Sequence, residues 1–218
     1  MAATPLTYPK IPGSKGCPGT QCIAFEKYDG TNLHWTWDRD FGWHEFGTRR
    51  DSFQLTPDGV SEFCRAHTEL RRASDIFRQT IADGIEAVLK SHGEYQKAQE
   101  VRIFTEFLGP RSFAGRHQAD DDHYLKLFDV EIVGNGIVPP LRFVEDFQHL
   151  AIARVIYRGR LTGRFAEDVR QGRYGVNEGV VCKGGTGKSD LWMAKIKTNA
   201  YLERLKQAFA DRWEEYWE

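Results

Sequence analysis

The sequence predicts an α+β fold in one domain. Three observations carry this expectation. Segments with the two-residue apolar alternation of strands follow one another closely near the start. The stretch from 61 to 91 carries helical periodicity instead. Beyond it, strand-like and helix-like segments intermix to the end, with no internal repeat, low-complexity tract or linker. At 218 residues the chain is long enough for one ordinary core, and 13% aromatic content supplies bulk for it.

The elements can be taken in order. Residues 1–21 are rich in proline and glycine and read as an irregular lead-in. "CIAFEK" reads as a strand, and "NLHWTWD" and "WHEFGT" as the next two, with "RDFG" as the turn between them. "SEFCRAHTELRR" reads as a short helix. Ser74 is placed to cap a second helix that carries Phe77, Ile81, Ile85, Val88 and Leu89 on one face. "VRIFTEFLG" and "HYLKLFDVEIVG" read as two longer strands, partly buried on both faces. "VPP" then breaks the chain. "LRFVEDFQHLA" and "TGRFAEDVRQG" read as short helices around the strand "RVIYRG". Two further strands follow, "EGVVCKG" and "LWMAKIKT". A helix from about residue 199, with Leu202, Leu205, Phe209, Trp213 and Tyr216 as its stripe, ends the chain.

Composition excludes some classes. The net charge is −1, so no global field draws in a polyanion, and binding one calls for a local basic patch. No run of 18 apolar residues is present to span a membrane, and the opening residues lack a signal-type apolar run, which leaves a cytoplasmic protein as the expectation. Of the four cysteines only Cys17 and Cys22 lie close together, so free thiols are expected rather than a zinc site. "GGTGKS" lacks the leading glycine of a phosphate loop, since Cys182 holds that position, and reads as a turn between strands. "DDDH" at 120–123, with His117 nearby, reads as a solvated charged loop rather than a metal site.

Other charged residues sit where solvated charge is unusual. Lys27, Asp29 and Gly30 follow the apolar "CIAF" directly. Glu106 lies among apolar neighbours, where a carboxylate must be paired or line a cleft. In "LWMAKIKT" the strand period puts Trp192, Ala194 and Ile196 on one face and Met193, Lys195 and Lys197 on the other. Two ammonium groups on one strand face suit either a solvated edge or a polyphosphate clamp.

Taken in order, Lys-x-Asp-Gly, the Glu106 strand, the aromatic-Asp strand, Glu-Gly-x-x-x-Lys and Lys-x-Lys resemble the five motifs of the covalent nucleotidyltransferase superfamily of RNA ligases, DNA ligases and capping enzymes. They stand here as "EKYDGTN", "FTEFLG", "LKLFDVEI", "EGVVCK" and "MAKIKT". Asn32 after "DGT" is similar to the RNA ligase 2-like branch, and "TRR" at 48–50 resembles its arginine-bearing segment.

The resemblance implies a nucleotidyltransferase (adenylyltransferase) domain of the ATP-grasp-like ligase type, with antiparallel sheets flanked by helices. It implies an ATP-dependent RNA ligase that uses Mg2+ or Mn2+. Lys27 would attack the α-phosphorus of ATP, and AMP would pass to a 5′-phosphate that a 3′-hydroxyl then displaces. Asp29 would orient the reacting groups. Glu26 would lie with the nucleotide, Glu106 would bond its ribose and Phe128 would stack on adenine. Glu178 would help hold the metal, Lys195 and Lys197 would grip phosphates, and Arg49 or Arg50 would hold another. Asn32 would act at the RNA ends. Lys195, Lys197 and the metal would also disfavour the Lys27 ammonium.

Only about 20 residues follow "KIKT", so the expectation is one domain over 1–218 with no separate C-terminal domain. The RNA ends, in a nicked duplex or otherwise, would then be gripped by this domain or by an accessory protein. The alternatives are an adenylyltransferase that acts on DNA or another substrate, and a non-catalytic nucleic-acid-binding module of the same fold.

Overall fold

A computed structural model describes residues 7–110 and 122–216. In chain order the strands are β1 (Gln21–Lys27), β2 (Thr31–Asp38), β3 (Gly42–Thr48), β4 (Phe53–Gln54), β5 (Glu100–Leu108), β6 (Tyr124–Ile132), β7 (Gly136–Ile137), β8 (Val155–Arg160), β9 (Gly179–Gly184) and β10 (Trp192–Lys197). The helices are α1 (Pro57–Ala66), α2 (Ala73–Thr80), α3 (Ala82–Ser91), α4 (Gly93–Lys97), α5 (Pro140–Phe147), α6 (Gly163–Arg170) and α7 (Asn199–Phe209). Among the described residues the strands form two antiparallel sheets, β10-β9-β1-β8 and β4-β3-β2-β5-β6-β7. The architecture is therefore α+β, with helices flanking antiparallel sheets.

Alternation in β1 explains how the smaller sheet is held. Cys22 and Ala24 face outward into a cluster with Phe165, Ala166 and Val169 of α6. Ile23 and Phe25 face inward, into the main core with Trp35, Phe77 and Phe143. Trp35 stacks on Phe77 at 3.9 Å and 3°. Its indole N–H, buried with it, donates to Thr105 Oγ1 at 2.9 Å.

Two helical expectations need correction. The single helix capped by Ser74 is two helices, α2 and α3, broken at Ile81, whose φ is −132°. Ser74 lies inside α2 and is buried, while Arg72 precedes the helix without a side-chain cap. The apolar stripe survives the break because both helices press on the same core: Phe77, Ile81, Ile85, Val88 and Leu89 are all buried. The last helix ends at Phe209, because Ala210 takes a left-handed φ of 44° and a 3₁₀ turn (Ala210–Tyr216) follows. Of the expected stripe only Leu205 is fully buried, and the side chain of Tyr216 is outside the described residues. So are His117, Asp120 and Asp121 of the charged loop.

"GGTGKS" is a turn between β9 and β10, as expected. Asp190 closes it by accepting from the N–H groups of Thr186 and Gly187 at 3.0 and 2.8 Å. All four cysteines are free. Among the described residues no helix is long and apolar enough to cross a membrane.

Candidate active site

Strand register assembles the site. On the inward face of the small sheet, Ile23 pairs with Lys183, Phe25 with Val181 and Lys27 with Gly179. On the far side of β9, Met193, Lys195 and Lys197 pair with the same three residues. Lys27 and Lys197 therefore flank Gly179, the residue after Glu178. Gly179 is required there, since a Cβ would lie 2.0 Å from the Ile196 carbonyl oxygen. A carboxylate thus arrives between two ammonium groups.

Glu178 is 2% exposed, and its oxygens each lie 2.9 Å from Lys27 Nζ. Lys197 Nζ lies 3.3 Å from Oε1 and is also buried. A solvated edge is thus ruled out for Lys197. Burial works against the Lys27 ammonium, but Glu178 and Glu106 outweigh it and hold its pKa above the ordinary lysine range. The two carboxylates thus act against the depression expected from Lys195, Lys197 and a metal ion, and the sequence could not show how closely Glu178 grips the amine. Burial pulls Lys197 down despite Glu178. Lys195 falls to about 8, through burial and then the positive charges of Lys197 and Lys27.

The larger sheet supplies the other wall. Asn32 pairs with Glu106 across β2 and β5. Gly30 lets the loop after Lys27 close on β5: a Cβ there would meet the Phe107 carbonyl oxygen at 2.3 Å. In that approach Gly30 N–H donates to Glu106 Oε1 at 2.9 Å. Burial pushes Glu106 and Asp29 each up to about 7, with Glu178 adding to both. Asp29 Oδ1 accepts from the Tyr201 hydroxyl at 3.2 Å. Tyr201 stands in the first turn of α7, which Thr198 caps.

Between the walls lies a cleft of about 260 Å³ whose lining includes Phe25, Glu26, Lys27, Asn32, Arg49, Glu106, Phe128 and Lys195. Asp29, Glu178 and Lys197 do not line it. A bulge between Phe104 and Thr105 shifts the register with β6, so that Asp129 pairs with Phe104 and Leu127 with Thr105. Phe128 occupies the extra position and faces the cleft. Arg49 and Arg50 are told apart: Arg49 lines the cleft, whereas Arg50 is exposed outside it. Glu26 lines the cleft but is tied to Arg154 Nε at 2.9 Å. Buried Asn32 Oδ1, Arg49 Nη2 and Asp29 Oδ2 have no hydrogen-bond partner among the described residues, and the first two belong to cleft-lining side chains.

Sequence reasoning missed a second buried cluster. Lys183 Nζ lies 2.6 Å from Asp129 Oδ1 and donates to the Phe128 carbonyl at 2.7 Å. Burial pushes Asp129 up and Lys183 down, against their mutual attraction. The Tyr8 hydroxyl donates to Asp129 Oδ2. Tyr8 meets Phe128 edge-on at 5.2 Å, and its carbonyl accepts from Arg49 Nε at 2.9 Å. Pro12 O accepts from Lys195 N–H at 2.8 Å. The lead-in is thus a strap that ties both sheets together at the cleft. Its only signal was "TYPKIP", an aromatic among prolines.

Among the described residues no group of three or more His, Cys, Asp or Glu could hold a metal alone. Glu178, the expected metal ligand, does not line the cleft, and its carboxylate is held by the Lys27 and Lys197 ammonium groups.

The sequence matches no family model and no curated protein. The structure is similar to that of a Naegleria gruberi RNA ligase with PPi, with a TM-score of 0.61 and 15% identity over 94% of this chain and 59% of that one. A mutant of that ligase with ATP and Mn gives 0.59 and 16%, over 92% and 58%. An archaeal ATP-dependent RNA ligase gives 0.54 and 16%, over 94% and 52%. The chain therefore spans between half and three-fifths of the length of these structures. At such identities the likeness is one of fold: this chain shares the α+β fold of these RNA ligase structures.

Proposed function

We propose that the chain is an ATP-dependent RNA ligase that joins a 3′-hydroxyl to a 5′-phosphate through AMP carried on Lys27. The observation that supports this best is the Lys27–Glu178–Lys197 cluster at a cleft walled by Phe128, Glu106, Arg49 and Lys195.

ATP enters with adenine against the ring of Phe128. Glu106 accepts from or donates to a ribose hydroxyl, since a carboxyl near pKa 7 does either at neutral pH. Asn32 Oδ1 and Arg49 Nη2, without protein partners, serve as acceptor and donor toward the substrate. The fork of Arg49 takes a phosphate.

Lys27 attacks the α-phosphorus as the free amine. Its Nζ–P bond forms as the bond from phosphorus to the pyrophosphate oxygen breaks. Freeing an ordinary lysine of its proton at pH 7 costs about 4.6 kcal/mol. Glu178 raises that cost, while the positive charges of Lys195 and Lys197 oppose the ammonium and receive the charge of the leaving pyrophosphate. Glu178 would hold a divalent cation on giving up an ammonium partner, and the ion would supply further positive charge against the triphosphate. The AMP then moves to a 5′-phosphate oxygen. Attack by the 3′-hydroxyl forms the phosphodiester and releases AMP.

Incubation with α-labelled ATP and Mg2+ or Mn2+ tests the first step. Label is expected on Lys27 by peptide mass spectrometry and absent in Lys27→Ala. A wild-type chain that stays unlabelled would favour a nucleic-acid-binding module. Sealing assays on nicked duplexes with RNA or DNA at the 3′-hydroxyl side test the rest, with equal rates on both pointing to DNA joining.

A further inference from the structure

A second cavity, of about 810 Å³, lies at the opposite end of the small sheet from Glu178 and Lys197. Its lining includes Ile23, Pro140, Leu141, Arg158, Gly184 and Trp192. Most of that wall is apolar, and Leu141 is 54% exposed. Gly184 makes room for the Trp192 indole, since a Cβ there would lie 2.5 Å from Trp192 Nε1. The carboxylate in the lining, Asp190, is turned onto the backbone N–H groups of Thr186 and Gly187.

Beside this groove runs β8, an edge strand. Residues 154–164 carry Arg154, Arg158, Arg160 and Arg164 and no acidic residue. Arg154 is paired with Glu26. Arg158, Arg160 and Arg164 are exposed and have no carboxylate partner among the described residues; Arg160 donates through Nε to the Gly19 carbonyl at 3.1 Å. Register gives the arrangement its direction. Arg158 pairs with Ile23 and Arg160 with Gln21, on the face of β1 that also carries Lys27. Ile23 precedes Lys27 by four residues, about 13 Å along a strand.

Charge on an edge strand also discourages unwanted pairing. That purpose does not call for Arg158 and Arg160 on the nucleophile's face beside an apolar, tryptophan-walled groove, followed by an exposed Arg164 at the start of α6. Cations that track a backbone, with an aromatic surface for a base, are what single-stranded nucleic acid requires.

We propose that the β8 edge and this groove seat the RNA strand that leads to Lys27, with phosphates on Arg158, Arg160 and Arg164 and a base against Trp192 and Leu141. The proposal rests on the ligase reading and says how a chain of net charge −1 holds a polyanion.

The test compares wild type with the triple variant Arg158→Gln, Arg160→Gln, Arg164→Gln. Binding of a labelled 5′-phosphorylated 12-mer RNA is measured by anisotropy across a salt series. Each phosphate contact on a single strand contributes about 0.7 to the slope of log K against log salt, so the triple variant should lose about 2 from that slope. Leu141→Asp, at an exposed position, should weaken binding without changing self-adenylylation. Unchanged affinity and slope in the triple variant, with or without aggregation, would reduce the arginines to edge protection and overturn the proposal. These outcomes are separable from the ligase reading, which falls if the wild-type chain fails to take up AMP.

Discussion

The Lys183–Asp129 pair offers a sharp test of how the cleft is held. Both side chains are almost fully buried, at 4% and 1% exposure. Lys183→Met keeps the length of the stem and removes the ammonium. Asp129 then keeps only the Tyr8 hydroxyl as donor, and the Phe128 carbonyl loses its partner at 2.7 Å. Breaking a buried ion pair from one side costs about 3–5 kcal/mol. At a urea m-value of about 2 kcal/mol/M, that is a fall of roughly 2 M in midpoint. Asp129→Asn should cost a similar amount, because Lys183 is left with a carbonyl and the faces of Phe25, Phe128 and Phe143. The double variant removes the uncompensated charge, so the two losses should fall short of adding by about 2–3 kcal/mol. Lys183 and Phe128 both line the cleft, so each single variant should also raise the KM for ATP in self-adenylylation more than it lowers kcat. Additive losses, or a loss under about 1 kcal/mol in each single variant, would refute the argument that this pair is buried, mutually dependent and a support for the base-binding wall.

Other outcomes follow from the same geometry. Lys197→Ala should slow lysine–AMP formation by roughly 10²–10³-fold, the usual loss of about 3–4 kcal/mol for one preorganised electrostatic donor, as read by single-turnover labelling. Asp29 and Glu106 are raised to about 7 in the folded chain. Their contribution to stability is present below the unfolded carboxyl range near 4 and is lost as pH rises through about 7, so Asp29→Asn and Glu106→Gln should raise the urea midpoint more at pH 8 than at pH 5. Lys195, lowered to about 8, should regain its proton when a triphosphate arrives. Calorimetry at pH 8.5 in buffers of different ionisation enthalpy should therefore show proton uptake on ATP binding, and Lys195→Arg should abolish it.

The motifs were legible in the sequence because chemistry and strand period coincide in them. The alternation of "LWMAKIKT" alone puts Lys195 and Lys197 on one face, and the structure keeps them there. The strands were legible for the same reason, as apolar alternation bounded by glycine and proline is local information. Local information also explains the errors. A break at Ile81 leaves the apolar stripe intact, so periodicity could not reveal that one expected helix is two. What only the tertiary structure decided depends on residues far apart in the chain. Glu178 reaches Lys27 across 151 positions and, with Glu106, holds its pKa up. Arg49 is separated from Arg50 because the Tyr8 carbonyl draws one guanidinium inward while the other stays in solvent. Tyr8, Asp129 and Lys183 meet from the lead-in and from both sheets, since burying a charge requires partners wherever in the chain they can be found.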